Sequence, residues 1–577
     1  MSQTESQKIR RRSLLVAFLF SVFLAVIGGK AAHIQIFQHT RLSQMAADQY
    51  VNPVTTRGKR GTIYDRRMSE LAVSVKSTSI AAHPPEIDDP ARTAAALSKV
   101  LKMDRRQLNK QLELHSPFVW VKRQATPLEV EKIRELELQG VGFVPEYTRF
   151  YPSKTLAAQV IGFAGIDGNA LEGLEYYYDR YLKGGESRIV ALRDARGNRI
   201  RPADEPITVS DGRNLVLTID RTIQFIAEKT LAETVSRYSA ASGIAIVMEP
   251  TTGAVLAIAH DPLFNPNAFG EFKRERWRNR AITDPIEPGS TLKIFNAAAA
   301  IEAGGSSPNT IFFCENGAYR IGRNVVHDTT KHGWLSLQQI IKYSSNIGAI
   351  KISEMLGPEL LHKTLGDFGF GKRTGLDCPG ETAGSLSHYT DWTPMDTAAV
   401  SFGHGVAASP IQLITAFSAL ANGGVLMKPY LVQAVVDADG KTVHAFQPRQ
   451  VRQVVSRQTA ATLSNILKTV ITEGGTGTLA SVNGYSVCGK TGTAQKINDD
   501  GTYADDRYIA SFVGYTPATK PAISILVIID EPQGEYYGGT VAAPAFRRIA
   551  EETLNYLNVP PDGNRQLAVA RHNGGPG

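Results

Sequence analysis

An uncharged stretch near the start of the chain, residues 13–29, determines on which side of a membrane the rest of the chain folds. It directly follows the basic residues Lys8 and Arg10–Arg12. Apolar residues continue to position 37, and a bilayer core needs about 20 helical residues, so one membrane-spanning anchor over 13–37 fits. The basic residues predict a cytoplasmic tail, 1–12, and export of the remainder. The alternative is a cleaved signal peptide, but the apolar run is longer than a signal sequence needs.

The exported part is too long for one core. A chain of 577 residues predicts two or three domains, and its 42% hydrophobic content can fill them. The net charge of +8 is not gathered into one basic run, so it favours an anionic membrane surface over nucleic acid as a partner. The three cysteines form no Cys-x-x-Cys pair, which predicts buried free thiols rather than a zinc site or disulfides.

Ser290 and Lys293 form a candidate nucleophile and base at a predicted helix start. Pro288 and Gly289 break the preceding chain, and good helix formers run over 292–300. Residues three apart share a helix face, so the amine can approach the hydroxyl. The free backbone N–H groups of a first turn also favour developing negative charge. This pattern also arises by chance, so alone it is weak evidence.

Two later segments strengthen the hypothesis. Ser344-Ser345-Asn346 lies on a predicted break between two helices, the first of which opens with a capping box at Ser336 and Gln339. Lys490-Thr491-Gly492-Thr493 follows a short strand-like run. We expect the three segments to meet in one cleft, which makes Ser344, Asn346 and Lys490 catalytic candidates beside Ser290 and Lys293.

A serine hydroxyl becomes a strong nucleophile only when a base takes its proton. A lysine has a reference pKa of about 10.4, so Lys293 needs a pKa about three units lower to act near pH 7. A second cation, Lys490, and burial would both lower it. Lys490 would also attract a substrate carboxylate, together with the hydroxyl groups of Thr491 and Thr493.

The remaining motif residues have predicted roles around this pair. The backbone amides of Ser290 and Thr493 would form an oxyanion hole. Gly492 would let the strand backbone approach the substrate, Ser344 would relay a proton to the leaving amine, and Asn346 would hold a substrate amide. This chemistry requires no metal ion or organic cofactor.

The order of predicted elements indicates an α+β fold. Apolar runs over 244–248 and 254–259 are joined by a turn and predict a hairpin, a helical block follows, and strands return after residue 487. Early strands, central helices and late strands predict an antiparallel sheet covered by helices. The expected domains are a cytoplasmic tail (1–12), an anchor (13–37), an N-terminal pedestal (38–222), a catalytic domain (223–557) and a flexible tail (558–577).

The third motif overlaps a P-loop pattern over 484–491, which would indicate an NTPase. A P-loop needs a helix directly after its Lys-Thr, so that backbone amides hold phosphate. Here Gly492 follows at once, and Tyr485 and Val487 suit a strand. The predicted topology also places the segment outside the cytosol, so we reject this interpretation.

The order Ser-x-x-Lys, Ser-x-Asn, Lys-Thr-Gly is the signature of penicillin-binding proteins and class A β-lactamases. The chain resembles the class B penicillin-binding proteins, the D,D-transpeptidases that cross-link peptidoglycan. The resemblance implies a pedestal, a penicilloyl-serine-transferase domain, and Tyr536 and Tyr537 beside the substrate. Besides the motifs, it covers nearly all of the chain after the anchor and includes residues 60–66, 149–152, 278–280, 401–405 and 537–544.

The resemblance also implies substrates, partners and location. The substrates would be stem peptides ending in D-Ala-D-Ala, with β-lactams acylating Ser290, and the partners a membrane lipid II polymerase and other division proteins. The protein would be single-pass in the cytoplasmic (inner) membrane, with its catalytic domain in the periplasm. Ser344-Ser345-Asn346 resembles the septal branch; the alternatives are an elongation-type transpeptidase and a catalytically silent division scaffold.

Overall fold

The structure, a computed structural model, describes residues 3–39, 41–42, 51–192, 209–498 and 502–562. It begins with a long helix, α1 (Gln3–Ala32), which continues into one π-helical turn (His33–Phe37). The segment Arg10–Phe37 is long and apolar enough to cross a membrane, with a mean hydropathy of 2.3 and a fully exposed apolar surface. The predicted anchor over 13–37 therefore coincides with one continuous helical segment.

The chain divides into two compact units. The smaller unit comprises Met1–Gly58 and Gly184–Asp211. Within it, strands β1 (Val51–Arg57) and β6 (Glu186–Leu192) pair antiparallel along their whole length. The predicted pedestal, 38–222, is therefore shared between the two units.

The larger unit comprises Lys59–Lys183 and Gly212–Gly577. Its N-terminal part alternates strands with short helices. Helix α4 (Pro127–Arg134) begins with a capping box at Thr126 and Glu129, and the chain turns soon after it ends, where Glu137 takes a left-handed φ of 43°. The elements are β2 (Ile63–Tyr64), β3 (Glu70–Ala82), α2 (Pro90–Leu101), α3 (Arg105–Leu112), β4 (Val119–Ala125), α4 (Pro127–Arg134), β5 (Val141–Phe150), α5 (Ala158–Ile161), α6 (Gly173–Tyr177), α7 (Asp179–Leu182) and β7 (Asn214–Leu217).

The C-terminal part of the larger unit contains most of the helices. Its elements are α8 (Arg221–Arg237), β8 (Ser242–Met248), β9 (Val255–Asp261), α9 (Arg280–Thr283), α10 (Lys293–Glu302), β10 (Ile311–Phe313), β11 (Ala318–Ile321), β12 (Asn324–His327), β13 (Trp334–Ser336), α11 (Leu337–Tyr343), α12 (Asn346–Leu356), α13 (Pro358–Asp367), α14 (Pro394–Ser401), α15 (Pro410–Ala421), β14 (Val425–Met427), β15 (Val432–Val436), β16 (Thr442–Ala445), β17 (Gln450–Gln453), α16 (Arg457–Ile471), β18 (Cys488–Ile497), β19 (Tyr503–Thr516), β20 (Ile523–Asp530), α17 (Gly538–Val541) and α18 (Ala543–Tyr556).

One sheet crosses the predicted boundary at 222. Its strand order is β16-β15-β7-β2-β3-β4, with β5 paired to β3. Strand β7 pairs with β2 on one side and with β15, which lies over two hundred residues later, on the other. The N-terminal segment and the catalytic region therefore share hydrogen-bonded structure.

The central sheet has five antiparallel strands in the order β18-β19-β20-β8-β9. Strands β8 and β20 are buried along their whole length because helices cover both faces. Val247 and Ile525 pack with Phe546 of α18 on one face. Ile246 and Leu526 belong to the core of the other face, which includes α15. The predicted α+β class and the predicted hairpin, β8 and β9, are confirmed.

The end of the chain is more ordered than predicted. Tyr485 donates a hydrogen bond to the carbonyl oxygen of Val559 (2.7 Å), and the backbone amide of Ser486 donates one to Asp562 (2.7 Å). These contacts hold residues 558–562, so the prediction of a flexible tail from 558 is wrong for this segment. Residues 563–577 lie outside the described residues.

Candidate active site

Ser290 lies in a short 3₁₀ turn, Gly289–Leu292, that leads directly into α10 at Lys293. Gly289, Thr291 and Leu292 are buried, while Ser290 is half-buried. Gly289 has a φ of 53°, and its amide donates to the carbonyl oxygen of Gly403 (3.1 Å). The predicted helix start is therefore a 3₁₀ turn that leaves the serine half-buried and buries its neighbours.

Lys293 brings the first two motifs together. Its side chain is almost fully buried, and Nζ donates to the carbonyl oxygen of Ser344 (2.5 Å) and to Oδ1 of Asn346 (2.7 Å). The Ser344 hydroxyl lies 3.3 Å from the same nitrogen. Ser344 ends α11 with a left-handed φ of 61°, and Asn346 begins α12, so the predicted break between two helices is confirmed.

Lys490 approaches the same serine from the central sheet. It is fully buried on β18, and Nζ donates to the Ser344 hydroxyl (2.9 Å) and to the carbonyl oxygen of Thr491 (3.0 Å). The Ser344 oxygen thus lies between the amines of Lys293 and Lys490. Three segments far apart in the sequence meet at one hydroxyl group.

The two buried amines cannot both carry a charge near neutral pH. Burial lowers the pKa of Lys293 to about 7, while the Asp328 carboxylate acts in the opposite direction. Burial and the charge on Lys293 lower the pKa of Lys490 well below its usual value. The predicted effect of the Lys490 charge on the pKa of Lys293 is not found, because burial is the cause that lowers it. For Lys490, burial is the larger cause and the charge on Lys293 the smaller. Like-charge repulsion between them favours a single shared proton.

The hydrogen-bond geometry indicates how a neutral Lys293 would act. A neutral amine has two N–H groups and one lone pair. The carbonyl oxygens of Ser344 and Asn346 can only accept, so they use both N–H groups of Lys293. The lone pair then remains to accept a proton from a serine hydroxyl. The pKa of Lys490 is lowered as well, so electrostatics alone does not assign the shared proton. The hydrogen bonds favour Lys293 as the base, and on that ground we assign the proton to Lys490.

A pH dependence follows from this pair. Acylation needs Lys293 unprotonated, and a base with a pKa of about 7 is unprotonated above that pH. We expect the acylation rate with a penicillin to fall about tenfold per unit as the pH decreases below 7. Stopped-flow acylation across about pH 5 to 9 measures this, with thermal unfolding at each pH as the control. A flat profile through this range would disprove a titrating base.

The Lys490-Thr491-Gly492-Thr493 segment is part of β18 and packs against the Ser290 turn. A Cβ atom at Gly492 would lie 2.9 Å from Cγ2 of Thr291 and 3.2 Å from the carbonyl oxygen of Pro288. The glycine therefore lets the strand and the turn come close, which is a packing role the sequence did not reveal. The Thr491 hydroxyl is 2.9 Å from that of Thr476, a contact that orients it within the protein.

Tyr536 and Tyr537 are placed beside the same strand. The amide of Gly538 donates to the Thr493 hydroxyl (3.1 Å), which joins the tyrosine segment to β18. Tyr536 stacks on Tyr508 with ring centres 4.2 Å apart, and Tyr537 lies 4.5 Å from Tyr536 and is 43% exposed. The result is an aromatic wall next to Thr493, and Tyr508 is a member that the sequence analysis missed.

Asp328 is a second residue that the sequence analysis missed. Its carboxylate accepts hydrogen bonds from the Ser345 hydroxyl (2.6 Å) and from the amides of Asn346 (2.5 Å) and Ile347 (3.1 Å). It thereby holds the start of α12, which carries the second motif. A local capping residue lies directly before its helix, whereas Asp328 follows β12, well before α12. No sequence signal therefore identifies it as a cap.

The P-loop interpretation is excluded by the same geometry. Lys490 and Thr491 lie in the middle of an antiparallel strand that continues to Ile497. A phosphate-binding loop would need a helix to begin there.

Two family models match the chain. The penicillin binding protein transpeptidase domain matches residues 243–551, and the penicillin-binding protein dimerisation domain matches residues 55–217. The chain belongs to the class B penicillin-binding proteins. The transpeptidase match contains all three motifs, and the dimerisation match lies within the region predicted as the pedestal of this penicillin-binding protein.

Relatives resemble this penicillin-binding protein over most of its length. The probable peptidoglycan D,D-transpeptidase PenA of Neisseria meningitidis is 35% identical over 97% of this chain and 94% of its own. The peptidoglycan D,D-transpeptidase FtsI of Escherichia coli K12 is 32% identical over 93% of this chain and 90% of its own. The crystal structure of penicillin-binding protein 3 from Mycobacterium tuberculosis, complexed with aztreonam, is 29% identical, covers 88% of this chain and 98% of its own, and has a TM-score of 0.69.

Proposed function

We propose that this penicillin-binding protein is a serine peptidoglycan D,D-transpeptidase that acts in septal wall synthesis. The observation that carries the proposal is the Ser344 hydroxyl, 3.3 Å from the amine of Lys293 and 2.9 Å from that of Lys490, beside the turn of Ser290. In this arrangement Ser290 would be the nucleophile, Lys293 the base and Lys490 the fixed cation. The similarity to PenA and FtsI, both named as peptidoglycan D,D-transpeptidases, supports the same reaction.

The first half-reaction acylates Ser290. Lys293 takes the hydroxyl proton while the serine oxygen attacks the carbonyl carbon of the penultimate D-Ala of a stem peptide. The amides of Ser290 and Thr493 would stabilise the oxyanion, and removing one such donor typically costs about 3–4 kcal/mol of barrier. The C–N bond then breaks, and the proton passes through Ser344 to the departing D-Ala.

Lys490 and Asn346 would orient the donor peptide. The terminal carboxylate would bind near the charge of Lys490 and the Thr493 hydroxyl. The side-chain amide of Asn346 is already fixed by Lys293 and by the carbonyl oxygen of His327 (3.1 Å), so it offers a rigid edge for a substrate amide. A β-lactam carries a comparable carboxylate and acyl group, so it would acylate the same serine.

The second half-reaction transfers the acyl group to an amine on a neighbouring stem peptide. The α1 helix would anchor the enzyme in the cytoplasmic membrane with its catalytic domain in the periplasm, where this substrate lies. Partnership with a lipid II polymerase and other division proteins follows from the septal assignment. Ser344-Ser345-Asn346 supports the septal branch, and the second candidate is the elongation branch.

Depletion in living cells tests the septal assignment. Because a septal enzyme is needed only for division, we expect depleted cells to keep elongating and form filaments. Expression of the Ser290→Ala variant at the wild-type level should not restore division, since a scaffold without chemistry is insufficient. Swollen, round cells would instead indicate an elongation enzyme, and rescue by Ser290→Ala would indicate a scaffold.

A further inference from the structure

A second polar cluster borders the cleft and has no role in the reaction described above. It contains Glu287, His404 and Tyr503, which come from three separate segments. Tyr503 donates to the carboxylate of Glu287, with its hydroxyl oxygen 3.2 Å from each carboxylate oxygen, and the amide of Gly405 donates to Oε1 (2.8 Å). Nδ1 of His404 lies 3.6 Å from Oε2. A fixed carboxylate therefore faces one nitrogen of an imidazole.

The backbone brings this cluster close to Ser290. Glu287 lies three residues before Ser290, and the carbonyl oxygen of Gly403 accepts the amide hydrogen of Gly289 at 3.1 Å. Gly403 has a φ of 94°, and a Cβ atom there would overlap the carbonyl group of Gly289. Only glycine allows this approach, which places His404 alongside the Ser290 turn.

The charge on Lys293 also affects the pKa of His404. Burial, and then the charge on Lys293, lower the pKa of His404 to about 4, so the imidazole is neutral at neutral pH. Its side chain keeps 20% exposure, against 10% for Glu287. Among the residues that the structure describes, the charged and titratable groups around His404 are Glu287, Tyr503 and Lys293. When Lys293 is neutral, as after D-Ala has left, one cause of the lowered pKa is removed and His404 becomes a better base.

The second half-reaction requires such a base. An alkyl amine has a pKa of about 10, so the acceptor arrives as an ammonium ion and must lose two protons in all. Lys293 can accept only one proton at a time, and that proton returns to the Ser290 oxygen when the ester bond breaks. The first proton needs a different acceptor.

We propose that His404, oriented by Glu287, is the general base that takes the first proton from the acceptor ammonium group, which makes this cluster the acceptor site. The inference rests on the proposed transpeptidase function. The ammonium gives one proton to Nε2 of His404, and the Glu287 carboxylate stabilises the resulting imidazolium. The amine nitrogen then bonds to the acyl carbon, the ester C–O bond to Ser290 breaks, and the second N–H proton reaches the serine oxygen through Lys293 and Ser344. His404 returns its proton to water.

The test separates acylation from transfer. Full-length protein in detergent is acylated with a thioester donor, and the ratio of amide product to hydrolysed product is measured with two acceptors. The first is a stem-peptide amine, which is an ammonium ion at pH 7. The second is hydroxylamine, which is largely neutral at this pH and has no first proton to lose. Fluorescent penicillin measures the acylation of each variant.

We expect His404→Phe to lower the product ratio with the stem-peptide amine by about 100-fold and Glu287→Gln by about tenfold. The hydroxylamine ratio and the rate of penicillin acylation should stay within about threefold of wild type. His444→Phe, a change at an exposed histidine on β16, is the matched control and should leave both ratios unchanged.

An unchanged ratio with the stem-peptide amine in both variants would overturn the proposal. Equal losses with both acceptors would also overturn it, because they would indicate a distorted cleft rather than a missing base. The Glu287→Gln variant keeps an acceptor oxygen for Tyr503 and Gly405, so it supplies the test if His404→Phe does not fold. A wild-type protein that forms no acyl-enzyme would instead contradict the transpeptidase function itself.

Discussion

The Lys293→Ala variant is expected to be acylated by penicillin about 10³–10⁴ times more slowly than the wild-type protein, because it lacks the base that activates Ser290. The other amine at the Ser344 hydroxyl, Lys490, is the one expected to stay charged, so it does not replace the missing base. Acylation kinetics with a fluorescent penicillin measure the effect.

The variant should remain folded. Removing Lys293 leaves two carbonyl groups without a donor, which costs about 1–3 kcal/mol for each if water does not replace it. It also removes one of two buried amines that repel each other, which offsets part of this cost. Lys363→Ala, at a lysine that pairs with Asp367 on the surface of α13, is the control and should acylate normally. Normal acylation by a folded Lys293→Ala protein would refute the assignment of the base.

The Lys490→Ala variant should lose about 100-fold in acylation by penicillin, because truncating one partner of a buried charge pair costs 2–5 kcal/mol. The loss should depend on the ligand. Wild-type protein should prefer penicillin to its methyl ester, which lacks the carboxylate, and the variant should show almost no preference. Second-order acylation rates for both ligands measure this.

This comparison distinguishes two roles of Lys490. If its charge captures the carboxylate, the methyl ester reacts at a similar rate with the wild-type protein and the variant. If Lys490 acts only by orienting the Ser344 hydroxyl, the acylation rates of both ligands fall by the same factor. Unchanged rates with both ligands would contradict any role of Lys490 in the cleft.

The sequence predicted the elements of the catalytic region well where a local rule applied. The capping box at Ser336 correctly marked the start of α11, since the cap depends on residues three apart. The apolar runs over 244–248 and 254–259 became β8 and β9. The motif order also identified residues that meet: Lys293, Ser344, Asn346 and Lys490.

Interactions between distant segments could not be predicted in this way. Asp328 caps α12 from the residue after β12, and Tyr503 holds Glu287 from the start of β19. Strand β7 pairs with β15, so the sheet crosses a boundary drawn from composition alone. These contacts depend on how elements pack, and one sequence carries no local signal for them. The same limit applies to Gly492. The sequence predicts a role in substrate approach but carries no signal for its packing against the Ser290 turn.

The most direct test of the account is to locate the acyl group. Wild-type protein is treated with a penicillin, its mass is measured, and the modified peptide is sequenced, with Ser290→Ala treated in parallel. We expect one adduct with the mass of the intact penicillin, attached to Ser290 and absent from the folded variant. An adduct on another residue, or none on folded wild-type protein, would contradict the claim that Ser290 is activated in this cleft.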